Sequence, residues 1–197
     1  MSNYYISDTH FGHSNIINFD HRPYKNVQEM DEALINNWNS IVSNEDTVYI
    51  LGDFCWLKED KWLEYLWQLK GKKQLIRGNH DLWSMSRALK NEFADIKEYK
   101  EITDNGRHVI MCHYPLLCYK GSYDPKTWML HGHTHTTREQ GFVETWTREL
   151  ISTKMNNSDS WGHIINVGCM IHGYIPVTLD QLIAFYNNKY NSLLGDI

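Results

Sequence analysis

The strongest constraint in this 197-residue chain is a repeated pattern: short strand-like runs that each end in side chains able to bind a metal. "NYYIS" leads into "DTHFGH", "TVYIL" into "GD", "KKQLI" into "RGNHD", "HVIMC" into "H", and "TWML" into "HGHTH". Runs of this length, bounded by glycine and polar residues, read as buried strands. Helical spacing fills the gaps between the first three. Asn26 with Glu29 is a capping-box signal that opens a helix through "MDEALINNWNSIV". Trp62, Leu63, Leu66 and Leu69 form a helical stripe stopped by Gly71, and "LWSMSRALKNEF" is expected to form a third helix. This order predicts a sheet with crossover helices, and such sheets place ligands at the carboxyl ends of their strands.

The second half changes character. "IKEYKEI", the turn "TDNGR" and "HVIMCH" read as a hairpin with Asn105-Gly106 at its tip. "TWMLHGH" and "GHIINVG" read as further strands, and "TLDQLIAFYNN" as a closing helix capped by Thr178 with Gln181. The expectation is one α/β domain over residues 1–197, a four-layer α/β/β/α sandwich of two mixed sheets flanked by helices. A polar surface loop or partly helical insertion is expected at 136–161.

Composition narrows the function classes. Hydrophobic residues at 42% and charged ones at 22% describe a globular chain, and no apolar run approaches the roughly 18 residues a membrane span needs. The start, "MSNYYISDTH", lacks the basic and apolar regions of a secretory signal. Cys55, Cys112, Cys118 and Cys169 have no paired spacing, which fits reduced thiols in the cytoplasm. A net charge of -5 speaks against a long nucleic acid as partner. Trp38, Trp62, Trp67 and Trp83 lie in helix-like segments and read as core packing.

The strand-end donors are Asp8, His10, Asp53, Asn79, His80, His113, His133 and His135. Carboxylate, imidazole and amide together suit Mn²⁺, Fe²⁺, Zn²⁺, Co²⁺ or Ni²⁺, whereas calcium and magnesium prefer all-oxygen sites. Without thiolate, a structural zinc site is disfavoured. The donors are too many for one ion and suffice for two, the arrangement that hydrolyses phosphate esters. Asp8 with His10, and His133 with His135, lie two residues apart, so an extended backbone would point each pair one way. There is no Walker-type spacing and no GxSxG elbow.

The blocks "DTH", "GD", "GNHD", "CH" and "GHTH", in this order between residues 8 and 135, resemble the calcineurin-like metallophosphoesterases. "SDTHFGH…RP" is similar to the compact bacterial and phage members. The likeness carries little of Thr136–Trp161 or the C-terminal helix. It implies one ion held by Asp8, His10, Asp53 and His135, and a second held by Asp53, Asn79, His113 and His133. Manganese is the favoured metal, with Fe, Zn, Ni or Co as alternatives. The resemblance also implies a metal-bridging hydroxide as nucleophile and His80 as acid or transition-state stabiliser. Asp81 would orient the His80 imidazole, at a position where many relatives carry the longer Glu.

Arg22, forked onto a phosphate, His13 and His172 are the candidate substrate-binding residues. His131 reads as a neighbour of the ligands, His108 as a strand residue, and His163 as a weaker candidate than His172. Tyr114, Tyr119, Tyr123, Trp128 and Trp146 lie close in sequence to the ligands and divide between base stacking and core packing. The expected function is hydrolysis of a small phosphoester, with a nucleotide-like or cyclic diester preferred over a monoester. A non-catalytic scaffold would have lost ligands, and here His80 and every expected ligand are present. A redox metal protein would need open positions around a facial triad, against which the extra carboxylate and Asn79 speak.

Overall fold

The computed structural model describes residues 1–152 and 162–194. Four strands, β1 (Asn3–Ile6), β2 (Thr47–Ile50), β3 (Lys72–Ile76) and β4 (Phe93–Lys97), make the first sheet in that order. All its pairings are parallel. The second sheet runs β5 (Tyr99–Asp104), β6 (Arg107–Cys112), β7 (Thr127–His131) and β8 (Ile164–Asn166). Here β5 and β6 are antiparallel and the other pairings parallel, so only this sheet is mixed.

Strand alternation produces the layers, because successive side chains leave opposite faces of a sheet. Ile6, Val48, Ile50 and Leu75 pack outward against Met30, Leu34 and Trp38 of α2 (Val27–Ile41), Trp62 and Leu66 of α3 (Glu59–Gln68), and Leu89 of α4 (Arg87–Asn91). Their neighbours Tyr5, Tyr49, Leu51 and Ile76 point inward and meet Val109, Met111, Trp128, Leu130 and Ile165 of the second sheet. Ile110, Met129 and Ile164 leave that sheet on its far side and pack with Val143 of α5 (Arg138–Ser152). Leu179, Leu182 and Tyr186 of α6 (Leu179–Leu194) close the inter-sheet core. A short α1 (Ile16–Phe19) follows the first ligand loop.

Both caps form. Asn26 Oδ1 accepts the Glu29 N–H, although Glu29 Oε2 reaches back to the Lys25 N–H rather than to Asn26. Thr178 and Gln181 bond reciprocally, Oγ1 accepting the Gln181 N–H and Oε1 the Thr178 N–H. Two element boundaries change. "IKEYKEI" is not one arm of a hairpin: Glu98 divides it into the end of β4, in the first sheet, and β5, in the second. The helix expected from Leu82 begins only at Arg87, where Ser86 Oγ caps the Leu89 N–H, and Phe93 already belongs to β4. The 136–161 stretch carries a 15-residue helix, α5, in keeping with its partly helical alternative; its remainder, 153–161, lies outside the described residues. Trp38 and Trp62 are core residues as expected, but Trp67 and Trp83 are two-thirds exposed.

Candidate metal centre

The carboxyl ends of β1, β2, β3, β6 and β7 converge. Asp8, His10 and His135 bring donor atoms within 4.8 Å of one another, and so do Asp8, Asp53 and His113. Asp53 stands between two imidazoles, with Oδ2 3.7 Å from His10 Nε2 and Oδ1 3.6 Å from His113 Nε2. His135 Nε2 is 3.6 Å from Asp8 Oδ1. On the other flank Asn79 Oδ1 is faced by His113 Nε2 and His133 Nδ1, each at 2.9 Å. All seven expected ligands are therefore gathered at one rim; Asp8 belongs to both donor groups, and Asp53 turns one oxygen toward His10 and the other toward His113.

The backbone that achieves this is not extended. Asp8, His10, Asp53, His133 and His135 all have positive φ, between 47° and 66°. Each such non-glycine residue stores on the order of 1 kcal/mol or more, a cost that clusters at functional sites. The pairs two apart converge through left-handed turns, which corrects the expectation of extended chain. A ladder of main-chain bonds joins the first two of these loops: the Asp8 N–H donates to Gly52 O, His10 N–H to Asp53 O and Phe11 N–H to Phe54 O.

The motif glycines are explained by contact. A Cβ on Gly78 would collide with Asp53 Oδ1 and lie 2.6 Å from Asp53 N. One on Gly132 would lie 2.6 Å from Asp8 Oδ2, and one on Gly52 would strike His113 Nδ1. Each glycine lets one loop touch a ligand of another.

Partners behind the ligands fix their tautomers. His113 Nδ1 lies 2.8 Å from Leu51 O, so it carries the proton and leaves the Nε2 lone pair, which faces Asn79 Oδ1, for a metal. His135 Nδ1 is 2.7 Å from Asp20 Oδ1 in the same way. Burial pulls the His135 pKa down, but bonding to Asp20 and the charges of Asp8 and Asp20 outweigh it, and the net shift is upward. Burial drives His10 well below its usual value, helped by His135 and Arg22, so its imidazole is neutral. Burial raises the Asp8 carboxyl, opposed by His135 and His113 and reinforced by Asp53.

His10 Nε2 is buried with no hydrogen-bond partner. A buried orphan nitrogen beside two buried carboxylates is costly in a protein alone and is satisfied by a cation. The donor set fits divalent metal.

Three expected roles change. Arg22 is buried, and its five N–H donors are used: Nε and Nη2 on Asp20 Oδ2, Nη1 on Thr9 O and Met30 Sδ, Nη2 also on Asp8 O. It anchors the first ligand loop and has no donor left for phosphate. Asp81 does not reach for the His80 ring. Its carboxylate accepts the N–H groups of Asp53, Phe54 and Gly78, tying two ligand loops together. Burial pushes it up to about 6, against the pull of the Gly78 N–H. His172 is engaged elsewhere, with Nε2 on Asn166 O at 2.8 Å and its ring edge-on to Phe185 of α6.

His13 does lie at the centre, its ring 5.4 Å from that of His10. His80 is exposed beside it, and its N–H donates to Asp53 Oδ1. His131 is buried and bonds Gly132 O; burial brings it down to about 4. His108 is in β6, paired with Glu101, while His163 stacks on the buried Trp128. Two residues escaped the sequence reading. Asp20 braces both His135 and Arg22, and its only signal was its place beside Arg22 in "FDHRP". Trp56, in "DFCW", stands at the rim.

Comparison with known proteins agrees with this geometry. The model of the calcineurin-like phosphoesterase superfamily domain matches residues 1–150. An uncharacterised protein of Methanocaldococcus jannaschii is 35% identical over 182 residues, covering 91% of this chain and 88% of that protein. The gene 66 protein of Mycobacterium phage L5 is 30% identical over 195 residues, covering 84% and 91%. A crystal structure of a protein of unknown function from Aquifex aeolicus superposes with a TM-score of 0.65 at 28% identity, covering 93% of this chain and 98% of that one. Among the described residues no helix is long and apolar enough to cross a membrane. The chain belongs to the calcineurin-like phosphoesterase superfamily and is a metal-dependent phosphoesterase.

Proposed function

We propose that the chain is a two-metal phosphodiesterase acting on a small nucleotide-like or cyclic diester. The observation that carries this is Asp53, whose two oxygens face His10 on one side and His113 on the other. Asp8, His10, Asp53 and His135 would hold one ion, and Asp53, Asn79, His113 and His133 the other. Manganese is favoured for this donor set, with Fe, Zn, Ni or Co as alternatives. When bound, such a pair lowers the pKa of water to near neutrality and offsets charge on the phosphoryl oxygens.

The chain's own residues supply the rest. Asp20 and the Leu51 carbonyl hold the protons of His135 and His113 on Nδ1, keeping each Nε2 a donor. Asp81 and Arg22 lock the loops that carry Asp53 and Asp8. His80 is exposed at the rim, where its imidazole can give a proton to the departing alkoxide. The diester preference is supported by Arg22: with its donors spent, it offers nothing to the second negative charge of a monoester. The four cysteines are all free, in keeping with the cytoplasm as the site of action.

Turnover of bis-p-nitrophenyl phosphate and p-nitrophenyl phosphate tests this, measured with and without added Mn²⁺. The expected result is metal-dependent cleavage of the diester, falling about 100-fold or more in His80→Ala. Preference for the monoester would overturn the diester reading. Metal-independent cleavage, or none of either ester, would overturn the mechanism.

A further inference from the structure

Large aromatic side chains are usually covered, and Trp56 is not. It follows the buried Phe54 and Cys55, yet 45% of its surface is exposed. The indole lies flat on His13, centroids 3.9 Å apart and planes 5° from parallel. On another side it meets the His80 ring, with centroids 4.6 Å apart. The Trp56 main-chain N–H donates to Phe11 O, one rung beyond the bonds that join the His10 and Asp53 loops. The ring is thus carried by the loops that carry Asp8, His10 and Asp53, and it is held in place relative to them.

The other flank has a counterpart. Tyr114, 46% exposed, stands edge-on to His133 at 4.6 Å and to His113 at 5.2 Å. Among the described residues, the more exposed Trp83 and Trp67 stand elsewhere: Trp83 lies against the Arg77 guanidinium, and Trp67 is on α3. An indole kept open beside the candidate acid, backed by a parallel imidazole, is a preformed π surface. Such surfaces bind planar rings with little demand on hydrogen bonding.

We propose that Trp56, backed by His13, is the platform on which a planar ring of the substrate stacks. The substrates are then phosphoesters that bear a nucleobase or a similar heterocycle. This rests on the phosphoesterase reading above and adds to it the part of the substrate that is not phosphate. Trp56 acts in recognition, placing the ester next to His80.

The test compares AMP with ribose 5-phosphate, which share a phosphate and a sugar and differ by the base. Binding of each to the Mn²⁺-loaded protein is measured by calorimetry, with no turnover required. Wild type is expected to bind AMP about tenfold or more tightly than ribose 5-phosphate, the range of one stacked base. Trp56→Ala should bring the ratio close to one, and Trp56→Phe should restore most of it. If Trp56 merely shields the centre, the alanine variant weakens both ligands together and keeps the ratio, which overturns the platform. Equal affinities in the wild type overturn it too, while leaving the phosphoesterase reading intact. If neither ligand shows Mn²⁺-dependent binding, the platform falls.

Discussion

Replacing Arg22 with methionine separates its anchoring of the ligand loop from any grip on phosphate. The guanidinium is fully buried, and its ion-pair partner Asp20 has a side chain only 4% exposed. Removing one partner of a buried pair costs about 3–5 kcal/mol, because the other charge is left behind. The carbonyls of Asp8 and Thr9 lose their donors as well. Methionine recovers some packing beside Met30, and Asp20 keeps its bond to His135, so a net loss of about 3 kcal/mol is expected. For a chain of this size each kcal/mol moves Tm by about 2–4 °C, which gives a fall of roughly 6–12 °C. Thermal melts of the metal-free protein by circular dichroism read this directly. A phosphate ligand would behave in the opposite way. If Arg22→Met melts within about 1 °C of wild type while KM rises about tenfold, the anchoring argument is wrong.

Three other outcomes follow from the same contacts. Asp20→Asn removes the charge that holds the His135 proton on Nδ1, so Mn²⁺ affinity by calorimetric titration should fall about 10- to 100-fold; unchanged affinity would count against that role. Gly78→Ala drives a methyl into Asp53 and should cost about 1–3 kcal/mol in denaturant melts together with metal binding, whereas Gly141→Ala, with open space around it on α5, should stabilise by up to about 1 kcal/mol. Glu101 is held down to about 2 by the Tyr99 hydroxyl, Lys120 and His108. Its contribution should be complete above the ordinary carboxylate range, near 4.5, and lost as pH falls toward 2. Melts of Glu101→Gln and wild type should therefore converge across that window, and a constant gap would contradict the assignment.

The parts of this molecule legible in the sequence were those set by local periodicity. Strand runs, helix caps at Asn26 and Thr178, and ligands at strand ends are written in adjacent residues. What escaped depends on partners far along the chain. The split of "IKEYKEI" at Glu98 is decided by Ile96 packing into the outer core and Ile102 into the inter-sheet core, which no window of sequence records. Arg22 looked like a phosphate clamp because an arginine near metal ligands usually has free donors; its acceptors, at Asp8 and Thr9, appear only when the loop folds back. The left-handed turns at Asp8, His10, His133 and His135 were hidden for a related reason. Aspartate and histidine tolerate that region without requiring it, and here bonds to distant segments hold it: main-chain bonds at Asp8 and His10, the Asp8 carboxylate at the His133 N–H, and the Asn166 amide at His135 O.

The most direct test of the two-ion centre is the number of Mn²⁺ ions bound per chain, counted by elemental analysis after equilibrium dialysis, in wild type and Asp53→Asn. Two ions are expected in the wild type and one or none in the variant, because Asp53 turns one oxygen to His10 and the other to His113. A single ion in folded wild-type protein, or two undiminished in Asp53→Asn, would contradict it.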